Sequence, residues 1–142
     1  FQDIRSIELS PKYFKLCSKK FKNNPQVRIY KGDSGKQLLK IISDIEEPIT
    51  FWLDGHYSGS DTAMGDSYSP ILLELEQIKL HPINTHTIII DDVRQFGTKY
   101  FDFVTLVEIK EFLLTINPEY TFKLYDGFTK EDILVAYIEE QI

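Results

Sequence analysis

Glu8, Asp33, Asp54, Asp91 and Asp92 all stand at or just beyond the end of a short apolar run. A carboxylate in such a place can accept hydrogen bonds from hydroxyls and amines, hold a hard cation, or cap the helix that follows. If the runs ending in Asp54 and in Asp91 are neighbouring strands, their ends lie about 4.8 Å apart. Asp54, Asp91 and Asp92 can then converge on one metal ion. An all-oxygen donor set favours magnesium, manganese or calcium over zinc. Adjacent residues of a strand leave on opposite faces, however. The other reading therefore has one of Asp91 and Asp92 capping the next turn and its neighbour in solvent. His56, two residues after Asp54, has the neutral-range pKa of a general base, so Asp54 and His56 are the catalytic candidates. Hydrogen bonding within its own loop is the alternative for His56. Arg94 contacts an anionic acceptor or is a surface charge. Trp52 and Tyr57 are expected to pack, His81 and His86 flank Pro82 as structural residues, and Cys17 falls on an apolar helix face.

The elements that must position these groups alternate. Ile4 to Leu9 reads as a strand, and Ser10-Pro11 opens a helix through Phe14, Cys17 and Phe21. Val27 to Lys31 is a second strand, followed by a helix through Leu38, Leu39, Ile42 and Ile45 that Pro48 ends. Ile49 to Leu53 carries apolar residues on both faces, as a covered parallel strand does. A long loop rich in Gly, Ser and Asp runs from Asp54 to Ser69. Ser69-Pro70 then starts a helix through Ile71, Leu72, Leu75 and Ile78. Thr85 to Ile90 is the most apolar strand, and a helix through Phe103, Leu106, Val107, Phe112 and Leu113 follows, closed by Asn117-Pro118. Tyr120 to Tyr125 and Ile133 to Glu139 have only a loop between them. Four strand–helix units and a final hairpin predict a mostly parallel sheet in a three-layer α/β sandwich, ending in an antiparallel C-terminal hairpin.

The 142 residues fit one domain, 1–142, with 42% hydrophobic residues to build its core. Sixteen basic against 22 acidic residues give a net charge of −6, which disfavours a nucleic-acid partner. Lys12, Lys15, Lys19, Lys20 and Lys22 cluster, but as the solvated face and last turn of one helix. A single cysteine rules out an intrachain disulfide and suits the cytoplasm. No apolar run reaches membrane-spanning length, and no signal peptide is visible. Phe1 opens the chain and Met64 is its one methionine, so a natural start further upstream is expected.

The ordered set of motifs resembles the class I, Rossmann-like methyltransferases that use S-adenosylmethionine. In SIELSPKYFKLCSKKF, Glu8 stands where that family holds the cofactor ribose. In VRIYKGDSGKQLLKII, Asp33 stands where the family contacts the adenine amino group, with Ser34 beside it in the cofactor site. FWLDGHYSG resembles the family's fourth strand and following loop, which places Asp54 in the cofactor site as well, and TIIIDDVRQF resembles its fifth. YTFKLY and ILVAYIE are similar to its closing hairpin. Metal-dependent O-methyltransferases of the catechol type, and some that act on sugars, carry acids in similar positions, although Asp91-Asp92 stands where the catechol type has Asp-Asn.

The resemblance implies O-methylation of a small molecule such as a sugar, with S-adenosylmethionine as cofactor and magnesium or manganese as an assisting ion. From the net charge and the lack of a long apolar run, no nucleic-acid or membrane partner is expected. The resemblance also places the family's first strand and glycine-rich loop before residue 1, because Gly32 and Gly35 follow the wrong strand. That first strand would lie between Ile4–Leu9 and Ile49–Leu53, so the 142 residues are expected to self-associate through the gap or to be poorly stable alone. A nicotinamide-dependent oxidoreductase and a non-catalytic ligand- or partner-binding domain are the competing readings.

Overall fold

The computed structural model describes residues 1–55 and 68–139. Among the described residues, six strands and four helices follow in order, alternating up to β5: β1 (Ile4–Glu8), α1 (Pro11–Phe21), β2 (Val27–Lys31), α2 (Ser34–Ile42), β3 (Thr50–Leu53), α3 (Ile71–Lys79), β4 (Thr87–Ile90), α4 (Leu106–Ile116), β5 (Thr121–Tyr125) and β6 (Ile133–Tyr137). Side-chain caps start three of these four helices. The Ser10 hydroxyl accepts the Tyr13 amide at the head of α1, and the Asp33 carboxylate accepts the Gly35 amide at 2.9 Å at the head of α2. Thr105 and Glu108 form a reciprocal capping box on α4. No helix among the described residues is long and apolar enough to cross a membrane.

The strands form two sheets where one mostly parallel sheet was expected. β1 and β2 pair in parallel; the other four run in the order β3-β4-β6-β5, parallel between β3 and β4 and antiparallel around β6. The register sets Phe51, Ile88, Ala136 and Phe122 in one row and Leu53, Ile90, Leu134 and Leu124 in the next. Against this face lie Leu38 and Ile42 of α2, Leu75 and Ile78 of α3, and Ile109 and Leu113 of α4, which together make the core. α1 packs instead against β2 and β1. It buries no residue fully, so Cys17 is only half-buried.

Three expectations shift in physical detail. Trp52, expected to pack, is 57% exposed, because it alternates with the core residues Phe51 and Leu53 and faces the other side of the sheet. Phe103 does not join α4: it follows the short turn Lys99–Phe101 with φ of 62° and is exposed. α2 ends at Ile42, three residues before Ile45, which still packs against the core from outside the helix. Tyr57 lies outside the described residues.

His81 and His86 are structural, as expected. His86 is fully buried; its Nδ1 accepts the Ile49 amide at 3.0 Å, and its ring meets the edge of Phe51. Burial, reinforced by neighbouring His81, pushes its pKa down from 6.5 to about 4. The unfolded chain therefore takes up a proton that the folded chain refuses. Stability from this group is complete above about 6.5 and falls, by about 3 kcal/mol in all, as the pH drops to about 4. In an NMR titration from pH 8 to 5 the His86 ring should stay neutral. A midpoint near 6.5 would contradict this packing.

Candidate functional site at the strand ends

Hydrogen bonding fixes which edges of the sheets are occupied. Ile4 donates to Gln26 and Glu8 accepts from Gly32, so the backbone groups of Ile4, Ser6 and Glu8 face β2. Ile49 and Leu53 accept from Thr87 and Asp91, which turns Ile49, Phe51 and Leu53 towards β4. The alternate residues point the other way: Arg5 and Ile7 from β1, Thr50 and Trp52 from β3. All four line a cavity of about 590 Å³ between the two sheets. Both its walls are strand edges, and at one corner it reaches Ser34, Asp54, Gly55 and Glu74.

That corner is acidic. Glu74 is 4% exposed and sits in the first turn of α3. Burial pushes its carboxyl up from 4.5 to about 7; a hydrogen bond with Ser34 opposes the rise, and the nearby charges of Asp33 and Asp54 add to it. Ser34 and Asp54, both expected in the cofactor site, thus meet at one place with an acid the sequence reading did not single out. The signal was available. Ile71, Glu74, Leu75 and Ile78 follow the i, i+3, i+4, i+7 stripe of a buried helix face, and an acid on that stripe is anomalous.

The other expected cofactor residues stand nearby without lining the cavity. Asp33 caps α2, and its second oxygen lies 3.7 Å from the Lys36 ammonium. Glu8 ends β1, and its Oε1 accepts the Ser10 amide at 2.8 Å. His56 lies outside the described residues.

The expected metal ligands separate into two places. Asp91 and Asp92 gather with Asp132, a residue the sequence reading passed over, with ligand atoms within 4.8 Å of one another. Asp54 stands outside that cluster. Asp92 takes a left-handed backbone (φ 62°), and its amide is held by the Asp91 carboxylate at 2.8 Å. The Arg94 guanidinium bridges Asp92 and Asp132. Burial pulls the Arg94 pKa down, but the two carboxylates outweigh it and raise it on balance. An arginine therefore already occupies two of the three carboxylates. A divalent ion would have to displace Arg94, so the arrangement does not fit a metal centre as it stands, and no chemical step here runs through one.

No family model matches the sequence, and no curated protein sequence matches it significantly. Solved structures do match in shape. A protein of Staphylococcus aureus assigned by name to the caffeoyl-CoA O-methyltransferases aligns over 96% of this chain and 65% of its own, with 15% identity and a TM-score of 0.54. The methyltransferase PaMTH1 of Podospora anserina, with S-adenosylhomocysteine bound, aligns over 97% of this chain and 61% of its own, with 16% identity and a TM-score of 0.53. The architecture is thus an α/β fold with its acids at the strand ends. More narrowly, it is the fold of the class I S-adenosylmethionine-dependent methyltransferases. The chain spans less than two thirds of either neighbour's length.

Proposed function

We propose that this chain forms the greater part of an S-adenosylmethionine-dependent methyltransferase domain that methylates an oxygen of a small molecule such as a sugar. The observation that carries the reading is the acidic mouth of Ser34, Asp54 and Glu74 on a methyltransferase fold. S-adenosylmethionine presents an ammonium, a sulfonium, a ribose diol and an amino group, all cations or donors that carboxylates bind well. The pyrophosphate of a nicotinamide dinucleotide would be repelled by the same groups. When bound, the cofactor supplies an electrophilic methyl group. The chain's own task is to hold the acceptor oxygen in line with it and to take the acceptor's proton. His56 and Asp54 are the proposed proton-handling pair, and Glu8, Asp33, Ser34 and Asp54 the proposed cofactor contacts. Magnesium or manganese assistance, through Asp54, Asp91 and Asp92, would require Arg94 to leave Asp92 and Asp54 to join the other two. A small-molecule acceptor, a cytoplasmic setting and self-association complete the reading.

We further propose that a strand from outside these 142 residues fills the cavity between β1 and β3 and brings the glycine-rich loop to the acidic mouth. Titration of the protein with this upstream segment should show binding of S-adenosylhomocysteine and none of NAD. NAD binding alone would favour the oxidoreductase reading, and failure to transfer label from methyl-labelled cofactor to any acceptor would favour a non-catalytic domain. In the same protein Glu8→Gln should weaken S-adenosylhomocysteine by about 1.5–3 kcal/mol, the range for hydrogen bonds to a charged group. Unchanged affinity by calorimetry would remove Glu8 from the site.

A further inference from the structure

Arg5 and Arg28 are register partners on β1 and β2, and Tyr30 follows Arg28 two residues on, so all three leave the same face of the small sheet. Gln37, Lys40, Ile41 and Asp44 recur at helical spacing along α2 and the turn that ends it, and share one side. Between these two surfaces runs a groove of about 450 Å³. Ser34, Asp54 and Glu74 of the strand-end corner do not line it. The two arginines play different parts. Every N–H of Arg5 is engaged: Nε and Nη2 meet Asp3, Nη1 and Nη2 meet Asp44, and Nη1 also meets the Ile41 carbonyl. Arg5 thus builds one wall and holds Asp44, the acid of the lining. Arg28 makes one contact, from Nη2 to Asp3, and leaves the rest of its fork open on a side chain that is 46% exposed. Among the described residues, the side chains of Tyr30, Gln37 and Lys40 make no hydrogen bond or ion pair. A Cβ on Gly32 would collide with the Gln37 amide, so this glycine lets the amide lie over the end of β2.

Arg5, Arg28 and Lys40 against Asp3 and Asp44 leave one positive charge uncompensated, in a chain whose net charge is −6. A concave run of donors with surplus positive charge suits an anion. The number of donors selects among anions. A phosphate monoester offers three acceptor oxygens and nearly two negative charges, where a carboxylate offers two oxygens and one charge. We propose that this groove binds a phosphate group, as the free ion or on a small ester, through Arg28 and Lys40. Tyr30 and Gln37 donate to its remaining oxygens, and Arg5 keeps Asp44 turned to itself. The volume leaves room for the organic part of an ester. This is a second ligand site, and it does not rest on the methyltransferase reading.

The test is an amide NMR titration of the protein with its upstream segment, at neutral pH and constant ionic strength. The probes are inorganic phosphate and glycerol 3-phosphate, and the tighter of the two identifies the free ion or the ester as the source. Shifts should gather on β2 and α2 and saturate in the millimolar range or below, about the affinity of a few partly exposed charged hydrogen bonds. Arg28→Gln and Lys40→Gln should each weaken binding about tenfold, and Tyr30→Phe roughly threefold. All three should leave S-adenosylhomocysteine binding unchanged. Replacing Lys19 and Lys20 of α1 together by glutamine removes more charge elsewhere, and should change phosphate binding by less than about twofold, because distant exposed charges are screened. No saturation with either probe at about 10 mM overturns the proposal. So do shifts that gather at the strand ends, or a loss in the α1 variant as large as in Lys40→Gln. Phosphate binding without S-adenosylhomocysteine binding would strike the methyltransferase reading alone.

Discussion

Asp132→Ala should cost this chain about 3 kcal/mol or more, at the lower end of the range for breaking a buried ion pair. Asp132 has no exposed surface, and three donors converge on its carboxylate: the Arg94 amide at 3.1 Å, the Thr129 amide at 3.3 Å and the Arg94 guanidinium. Removing it strands both amides and half of an arginine whose side chain is 31% exposed and still meets Asp92. That remaining contact is the reason for choosing the lower end. Asp132→Asn keeps the shape and one acceptor, so it should cost less, about 1–3 kcal/mol. Burial pushes the Asp132 carboxyl up, but the hydrogen bonds from Arg94 and Thr129 and the Arg94 charge prevail and hold it below its ordinary 3.8. Its contribution is therefore present above pH 3.8 and is lost as the pH falls below it. Urea unfolding of the three proteins at pH 7 measures the order. An alanine variant within about 0.5 kcal/mol of the parent would mean that Asp132 and Arg94 are not paired in solution.

Much of this fold can be read from patterns along the chain, because each unit signals itself locally. Ser10-Pro11 starts α1, three successive isoleucines mark β4, and β5 and β6 follow each other without a helix between them. What escaped depends on contacts distant in sequence. Asp132 looks like any loop acid until the chain folds Arg94, 38 residues away, on to it. Its arrival alters the metal arithmetic, since a cluster of carboxylates on strand ends differs in kind once a guanidinium stands among them. Asp33 shows the limit from the other side: a position that suggests a ligand contact also suits a helix cap, and the structure uses it as one. Glu74 was legible in principle. Its place on the apolar stripe of α3 departs from the pattern around it, and such departures are where function is to be sought. Trp52 was misjudged because a strand with apolar residues on both faces was expected to be covered on both, and the described helices α2, α3 and α4 cover the face of Phe51.

Exposed Trp52 and the open edges beside it lead to the second large effect. The 142-residue chain alone should sediment as a dimer or larger, or melt without a sharp transition. The same chain joined to the upstream segment should be a cooperative unit that melts at least ~10 °C higher. Arg5 and Ile7 on one wall and Thr50 and Trp52 on the other turn their backbone N–H and C=O groups into the cavity. β1 pairs in parallel with β2, and β3 in parallel with β4. An extended segment between them can therefore continue both ladders. Each of its apolar side chains that becomes buried, together with Ile7 and Trp52, adds roughly 1.5–3 kcal/mol before ordering costs are subtracted. Without that segment the two edges are templates for another chain, which is the route to association. Charge on the cavity wall sets a further condition. Arg5 pairs with Asp3 and Asp44, so a strand carrying uncharged residues there disturbs no ion pair. Sedimentation at several concentrations, thermal melting and S-adenosylhomocysteine titration of the two proteins address the same point from three sides. A short chain that is monomeric and cooperative, and gains nothing in stability from the upstream segment, would mean that the cavity is not a vacant strand position and that the cofactor reading must stand on the acidic mouth alone.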